Sequence, residues 1–262
     1  MEEAISSMDF TTITELAGDE VSRQQIDRAC HRYCWAGMFC RDKDVLEVAC
    51  GSGLGLGMLA RAARSLKAGD FTEKLLQMVR LHYGDRIELR QFDAQAIPYP
   101  DRSFDVILLF EAVYYIPSVE QFVKECRRLL RPGGKVLIAS ANKDLFDFNP
   151  SPFSYRYYGV VELEELFKAN GFSVECFGYW QVSQASAIER ALRPVKAFAA
   201  KYHLIPKTMG GKKLLKRFVF GKLVPMPAEL TPEMIDYAPP VPLSAGKADT
   251  KHKVIYCAAR LS

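Results

Sequence analysis

The chain has no long apolar run. Stretches such as residues 106–110 are far shorter than the ~20 residues that a helix needs to cross a bilayer. The first residues, MEEAI, are acidic and lack the basic-then-apolar pattern of a secretory leader. We therefore expect a cytoplasmic location.

Cysteine pairs at metal-ligand spacing are also scarce. Of the 7 cysteines, only Cys30, Cys34 and Cys40 cluster, with His31 among them. No second pair follows at the spacing that a zinc or iron–sulfur site requires. The other cysteines stand singly in apolar segments, as small buried side chains do. We expect reduced structural thiols and no metal.

Acidic residues are absent from one long segment. The net charge is only +4, yet residues 190–222 carry ten Lys and Arg and no Asp or Glu. Apolar residues alternate with these cations, so the segment is amphipathic. It is consistent with a solvated cap face, a site for an anionic acceptor, or contact with an anionic membrane surface. RNA is disfavoured because no compact nucleic-acid-binding module accompanies the charges.

The rest of the composition is that of an ordinary globular protein. It is 49% hydrophobic and 25% charged, and 262 residues suit one large domain or a domain with a cap. We predict three parts: an N-terminal helical segment (1–40), a core (41–180 plus 251–262) and a basic cap (181–250).

Apolar runs and helical patterns alternate along the chain. Strands are predicted at residues 45–49, 65–69, 87–92, 104–110, 135–139, 172–178 and 252–260. Helices are predicted at residues 56–63, 73–82, 118–130 and 161–170, after a mostly helical segment, 11–40, in which Ser22 acts as a cap through Gln25. This alternation predicts an α/β fold with a doubly wound, mostly parallel sheet. The last two strands are expected to pair antiparallel at a sheet edge, which does not suit a six-stranded dinucleotide fold.

The first strand runs into a glycine-rich turn, residues 50–55 (CGSGLG), and then a helix. Glycine lets the backbone turn sharply and approach a ligand closely. The helix that follows offers free N–H groups to an electron-rich ligand. Dinucleotide enzymes share this pattern, so the turn alone does not identify the ligand.

Three acidic residues accompany the first three strands: Glu47 lies within the first, Asp70 follows the second and Asp93 follows the third. Ligands of open parallel sheets bind at the carboxyl ends of the strands. Asp70 lies 19 residues after Gly51, where a carboxylate can accept both hydroxyls of a ribose. Asp93, followed by Ala94, is placed to accept a hydrogen bond from an amine such as that of adenine. No run of the type G-x-x-x-x-G-K-S/T is present to hold a triphosphate.

These segments together resemble the class I S-adenosylmethionine-dependent methyltransferases. The motifs are VLEVACGSG (45–53), Asp70, DA (93–94), FDVI (104–107) and LRPGG (130–134), and the resemblance covers residues 28–180 and the last strand. It implies a seven-stranded sheet with the last strand antiparallel, and S-adenosyl-L-methionine as the cofactor. It also implies a cofactor-binding set of Glu47, Gly51, Ser52, Gly53, Asp70, Phe71, Asp93, Ala94 and Phe110. Within it, Gly51 and Gly53 pass under the methionine, Asp70 holds the ribose, Asp93 the adenine amine and Ala94 the adenine edge.

The resemblance implies no universal catalytic residue. The sulfonium is already activated, so transfer mainly requires an acceptor lone pair held in line. Many relatives have a histidine after the fourth strand, whereas this chain has FEAVYYIP (110–117). Glu111 is a candidate base or cofactor ligand, and Tyr114 and Tyr115 are candidates to orient an acceptor. The alternative is that both tyrosines only pack under a loop.

An aromatic loop, residues 146–158, is predicted to lie over the acceptor side; its alternative is a loop packed down by its own rings.

We expect methylation of O or N on a small polar, sugar- or glycan-type metabolite, with an anionic nucleotide sugar among the candidates. Lipid, quinone or RNA acceptors, a nicotinamide oxidoreductase and a non-catalytic binder remain as alternatives. The oligomeric state is left open.

Overall fold

The structure is a computed structural model that describes residues 10–151, 153–182 and 223–262. The described helices are α1 (Arg23–Cys40), α2 (Leu56–Ala62), α3 (Glu73–Tyr83), α4 (Val119–Leu129) and α5 (Val160–Ala169). The strands are β1 (Glu20–Val21), β2 (Asp44–Val48), β3 (Ser65–Asp70), β4 (Glu88–Gln91), β5 (Phe104–Phe110), β6 (Leu130–Ala141), β7 (Phe172–Gln181), β8 (Val224–Pro225), β9 (Val241–Pro242) and β10 (His252–Leu261).

One twisted sheet carries the fold, in the order β4-β3-β2-β5-β6-β10-β7-β9. Strands β2 to β6 pair in parallel, whereas β10 runs antiparallel to both β6 and β7. The predicted α/β class and seven strands with the last antiparallel are confirmed, and the two-residue β9 adds an eighth strand. The expected antiparallel pairing of the last two strands near the sheet edge is also confirmed: β10 lies between β6 and β7, and in the described sheet only the short β9 lies outside this pair.

Helices cover both faces of the sheet, which explains its near-continuous apolar strands. Along β5, Ile107 and Leu109 face the layer of α4 and α5, and Val106 and Leu108 face that of α1 and α2. Trp35 of α1 stacks on Tyr256 of β10 at 4.8 Å between ring centroids. Both layers are therefore anchored on the central strands, and the strand ends are left to form a site.

The N-terminal part is less helical than predicted. After a single 3-10 turn at Phe10–Thr12, regular helix begins only at Arg23, and Glu20–Val21 is a strand. The predicted cap is confirmed, since the Ser22 backbone N–H donates to Gln25 Oε1 at 3.0 Å.

The described end of the predicted cap, residues 223–250, packs onto the N-terminal part. Strand β8 pairs antiparallel with β1, and the Leu230 N–H donates to the carbonyl of Leu54 at 2.8 Å. Glu229 forms an ion pair with Arg61 of α2 at 2.8 Å. The basic segment 190–222 lies outside the described residues. Every helix within the described ranges is too short or too polar to span a membrane.

Candidate active site

A cavity of about 840 Å³ opens at the carboxyl ends of the parallel strands. Asp70 and Asp93, which end β3 and follow β4, lie at one side of it. Ala141 at the end of β6 and Lys253 at the start of β10 line the other side. The cavity therefore spans most of the sheet, at the edge where ligands of such sheets bind.

The glycine turn (residues 49–55) forms the floor near β2. Ala49, Gly51 and Gly53 have φ of 54°, 57° and 73°, the left-handed region that glycine enters without strain. Gly51 lines the cavity. A Cβ on Gly53 would come within 2.9 Å of the Val79 side chain of α3. The turn thus needs glycine for two reasons, ligand access at Gly51 and helix packing at Gly53.

Asp70 connects this turn to β3. Its Oδ2 accepts a hydrogen bond from the Gly51 N–H at 2.9 Å, and its Oδ1 accepts one from the Thr72 N–H at 2.8 Å. The side chain is buried, and burial raises the pKa of its carboxyl, against the effect of these hydrogen bonds. A carboxylate has about four acceptor positions, so two remain beyond those that the backbone uses.

Asp93 and Ala94 lie beside Asp70, across the end of β4. Asp93 Oδ1 accepts from the Gln95 N–H at 2.8 Å, and its Oδ2 accepts from Gln95 Nε2 at 3.1 Å. Gln95 in turn accepts the Ser118 N–H at 3.0 Å, which ties the turn to the start of α4. Asp93, Ala94 and Gln95 all line the cavity.

An N-terminal segment (residues 10–15) covers this half of the cavity. Ser52 Oγ donates to the carbonyl of Glu15 at 2.6 Å. The Phe10 ring meets Phe71 at 6.4 Å and Tyr115 at 5.7 Å, edge to face in both cases. Phe10 thus joins an aromatic rim from the β3 end to the β5 end.

Glu111 follows β5 in a left-handed conformation, with φ of 51°. Its Oε1 lies 3.1 Å from Arg32 Nη1, and its Oε2 accepts the Tyr114 hydroxyl at 3.1 Å. Burial alone would lower the pKa of Arg32, but the charge of Glu111 and other neighbours raises it. The Glu111 carboxylate thus connects Arg32 of α1 to Tyr114, which follows β5.

The two tyrosines line the cavity and belong to an aromatic cluster. Tyr114 stacks on Tyr157 at 4.2 Å, and the Tyr115 hydroxyl donates to Ser151 Oγ at 3.1 Å. Burial raises the pKa of both Tyr114 and Tyr115, so both phenols are protonated at neutral pH. The described residues of the aromatic loop do not line the cavity, and Ser151 and Tyr157 contact the two tyrosines instead. The position of the loop over the acceptor side stays a prediction.

One face of α1 forms the wall opposite the sheet. Its cavity-lining residues recur at helical spacing: Gln25, Arg28, Ala29, Arg32 and Tyr33. Two of the five are arginines, so this wall is positively charged.

Comparison with known proteins identifies the fold and its core motif. Residues 46–138 match the family model described as a methyltransferase domain. Residues 46–138 are therefore a methyltransferase domain. YcgJ of Bacillus subtilis has the same fold, with a TM-score of 0.56 and 17% identity over 88% of this chain and 98% of that protein.

Two sequence relatives extend the match. A Mycolicibacterium smegmatis protein named "Probable S-adenosylmethionine-dependent methyltransferase" is 37% identical over 52% of this chain and 54% of its own length. The ubiquinone biosynthesis O-methyltransferase of Sinorhizobium medicae is 33% identical over 38% of this chain and 42% of its own. The chain spans about half the length of these relatives.

Most of the predicted site residues of the methyltransferase domain meet in the cavity. Those that line it are Gly51, Ser52, Asp70, Phe71, Asp93, Ala94, Phe110, Glu111, Tyr114 and Tyr115. Gly53 and Glu47 do not line it. Gly53 packs on α3, and Glu47 lies beneath the turn, where its Oε1 accepts the Tyr33 hydroxyl at 2.6 Å. The roles assigned to all these residues stay predictions.

Sequence reasoning missed the N-terminal segment and the polar residues of the α1 face. Arg28 and Arg32 are four positions apart and share a helical face, so the helix predicted within residues 11–40 was a usable signal for them. No comparable signal exists for Phe10, because its ring contacts are to residues 61 and 105 positions away. His31 is engaged in packing: it lies 2.8 Å from the Tyr256 hydroxyl and stacks on Tyr179 at 3.4 Å.

Proposed function

We propose that the protein is an S-adenosylmethionine-dependent methyltransferase acting on an oxygen or nitrogen of a small polar molecule. The observation that carries the proposal is the shape of the cavity at the strand ends. It holds two acidic residues and a glycine turn at its β2–β4 side, and it continues past β5 to the ends of β6 and β10. A cofactor at the β2–β4 side and an acceptor at the β6–β10 side would lie next to each other in this cavity.

The residues present fit the cofactor. Asp70 keeps free acceptor positions for the two ribose hydroxyls after its two backbone bonds. Asp93 offers a second carboxylate for the adenine amine, and Phe71, 36% exposed, offers a ring beside it. Gly51 leaves the cavity floor open where a larger side chain would stand.

When bound, S-adenosylmethionine supplies a methyl group on a positively charged sulfur, already activated for transfer to a lone pair. The protein's contribution is then to hold the acceptor in line and exclude water, which is worth several orders of magnitude in rate. Protonated Tyr114 and Tyr115 can orient an acceptor but cannot take its proton.

Glu111 is a candidate base that lines the cavity. Both of its carboxylate oxygens are already engaged, Oε1 with Arg32 Nη1 and Oε2 with the Tyr114 hydroxyl. We infer that Glu111 mainly fixes the position of Arg32 and Tyr114, and that proximity and orientation carry the reaction.

The acceptor class has two candidates. A sugar or glycan-type metabolite is the first. A phenolic, quinone-type acceptor is the second, supported by the 33% identity to a ubiquinone biosynthesis O-methyltransferase. Both present a hydroxyl, so the proposed transfer is the same for each.

Isothermal titration calorimetry tests the cofactor assignment. S-adenosylhomocysteine should bind the wild type, and Asp93→Ala should weaken binding about 5- to 150-fold through the lost hydrogen bond. The exposed Asp85 provides the matched variant, Asp85→Ala, which should leave the affinity unchanged. Tight binding of NAD⁺ in place of S-adenosylhomocysteine would contradict the proposal.

A further inference from the structure

We propose that the methyl acceptor carries a negatively charged group, carboxylate or phosphate, and that Arg28 with Lys253 binds it at the β10 side of the cavity. The inference rests on the proposed methyltransferase function and adds to it the charge and the location of the acceptor.

The sheet order separates the two sides of the cavity. Four strand steps lead from β3 through β2, β5 and β6 to β10, and neighbouring strands lie about 4.8 Å apart, so the two sides are roughly 19 Å apart. Asp70 and Asp93 mark the cofactor side. The side lined by Ala141, Lys253 and Val254 lies beyond them and is left for the acceptor.

Arg28 lies at this acceptor side. It lines the cavity from α1, and His31, three residues further along that helix, stacks on Tyr179 of β7 at 3.4 Å. Tyr179 is the β7 partner of Val254, which also lines the cavity. Lys253, adjacent in sequence to Val254, adds a second positive charge from the β10 side of the cavity.

Arg28 and Arg32 differ in what neutralises them. Arg32 is paired with Glu111 at 3.1 Å. Arg28 donates from Nε to the Gln24 carbonyl at 3.3 Å, and within the described part of the chain no carboxylate lies within ion-pair distance of it. A half-buried guanidinium without a carboxylate is a favourable partner for a bidentate anion. Arg28 is therefore a cation of the described residues that a ligand in the cavity can use.

Matched acceptors test the charge. Tritiated S-adenosylmethionine would be incubated with three pairs that differ in one anionic group: 3,4-dihydroxybenzoate and its amide, 4-hydroxybenzoate and its amide, and glucose 6-phosphate and glucose. We expect kcat/KM to favour an anionic member by about 10- to 150-fold, the usual effect of a charged hydrogen-bond pair. The benzoates report a carboxylate acceptor and the sugar phosphate a phosphate acceptor.

Variants then test the residues. Arg28→Gln and Lys253→Gln should each raise KM for the anionic member and abolish its advantage over the neutral one, with S-adenosylhomocysteine affinity unchanged. Exposed Arg41 and Lys251 provide the matched variants Arg41→Gln and Lys251→Gln, which should retain the preference.

The proposal is overturned if neutral acceptors have the same kcat/KM as anionic ones, or if no anionic acceptor is methylated. It is also overturned if Arg28→Gln weakens the binding of S-adenosylhomocysteine instead. The last result would assign Arg28 to the cofactor. Failure of the wild type to bind S-adenosylhomocysteine is a separate result, and it would refute the proposed function itself.

Discussion

Asp70 Oδ2 accepts a hydrogen bond from the backbone N–H of Gly51 at 2.9 Å. One carboxylate thus holds the glycine turn after β2 against the end of β3, while it also lines the cavity. The residue proposed to bind ribose is also part of the fold. Cofactor binding and local stability are therefore expected to change together when Asp70 is altered.

Replacing Asp70 tests this double role. Asp70→Asn keeps the shape but replaces one oxygen with an amide, so either Gly51 or Thr72 loses its acceptor. We expect the free energy of unfolding to fall by about 1–3 kcal/mol and S-adenosylhomocysteine affinity to fall about 5- to 150-fold. Urea unfolding and calorimetry measure the two. Asp85→Asn is the control, and an Asp70→Asn protein with wild-type affinity would remove Asp70 from the cofactor site.

The sequence predicted the parts of the fold that depend on local pattern. The strand at Phe104–Phe110 has its predicted bounds, and the helix predicted at residues 73–82 extends only one residue further. Both are runs of one periodicity that end at turn residues. Acidic residues at strand ends were likewise predictable, because their position follows from the parallel topology.

The cover of the cavity could not be predicted in this way. Phe10 contacts Phe71 and Tyr115, and Leu230 contacts the turn through Leu54, across long sequence separations. No periodicity within residues 10–15 indicates these contacts. The position of Gly53 against Val79 was missed for the same reason, since it depends on how α3 packs and not on the turn motif.

Phe10 should contribute to cofactor binding as a cover. Phe10→Ala removes two edge-to-face contacts of about 0.5–1.5 kcal/mol each and opens the cavity to water. We expect calorimetry to show S-adenosylhomocysteine binding weakened by up to about tenfold. Leu81→Ala, on an 89% exposed side chain of α3, should leave the affinity unchanged. An equal effect of both variants would mean that Phe10 does not cover the ligand.

The ion pair of Arg32 and Glu111 should be energetically coupled. Arg32→Gln and Glu111→Gln each leave one partner charged without its counterpart, and we expect each to lower the free energy of unfolding by about 1–3 kcal/mol. The double variant should be more stable than the sum of the two losses predicts. Urea unfolding of the four proteins gives the coupling energy.

A second cycle, of Arg41→Gln with Glu111→Gln, is the control for that coupling and should be additive, because Arg41 is exposed at the far end of α1. Zero coupling between Arg32 and Glu111 would mean that the carboxylate is not held by the guanidinium. In that case Glu111 would again be a candidate general base.

Glu47 should make the protein less stable as the pH rises from 4.5 to about 7. Burial raises its pKa from 4.5 to about 7, against the opposing effects of Tyr33 and Arg32. Between those two values the folded protein holds a proton that the unfolded chain has released, so stability falls with increasing pH, by up to about 3 kcal/mol. Glu47→Gln stays neutral at every pH. We therefore expect its urea midpoint to match that of the wild type near pH 4.5 and to exceed it at pH 8.

The exposed Glu175 gives the matched variant Glu175→Gln, whose difference from the wild type should not grow with pH. A Glu47→Gln protein less stable than the wild type at pH 8 would show that the buried carboxylate is charged and well compensated in the folded state.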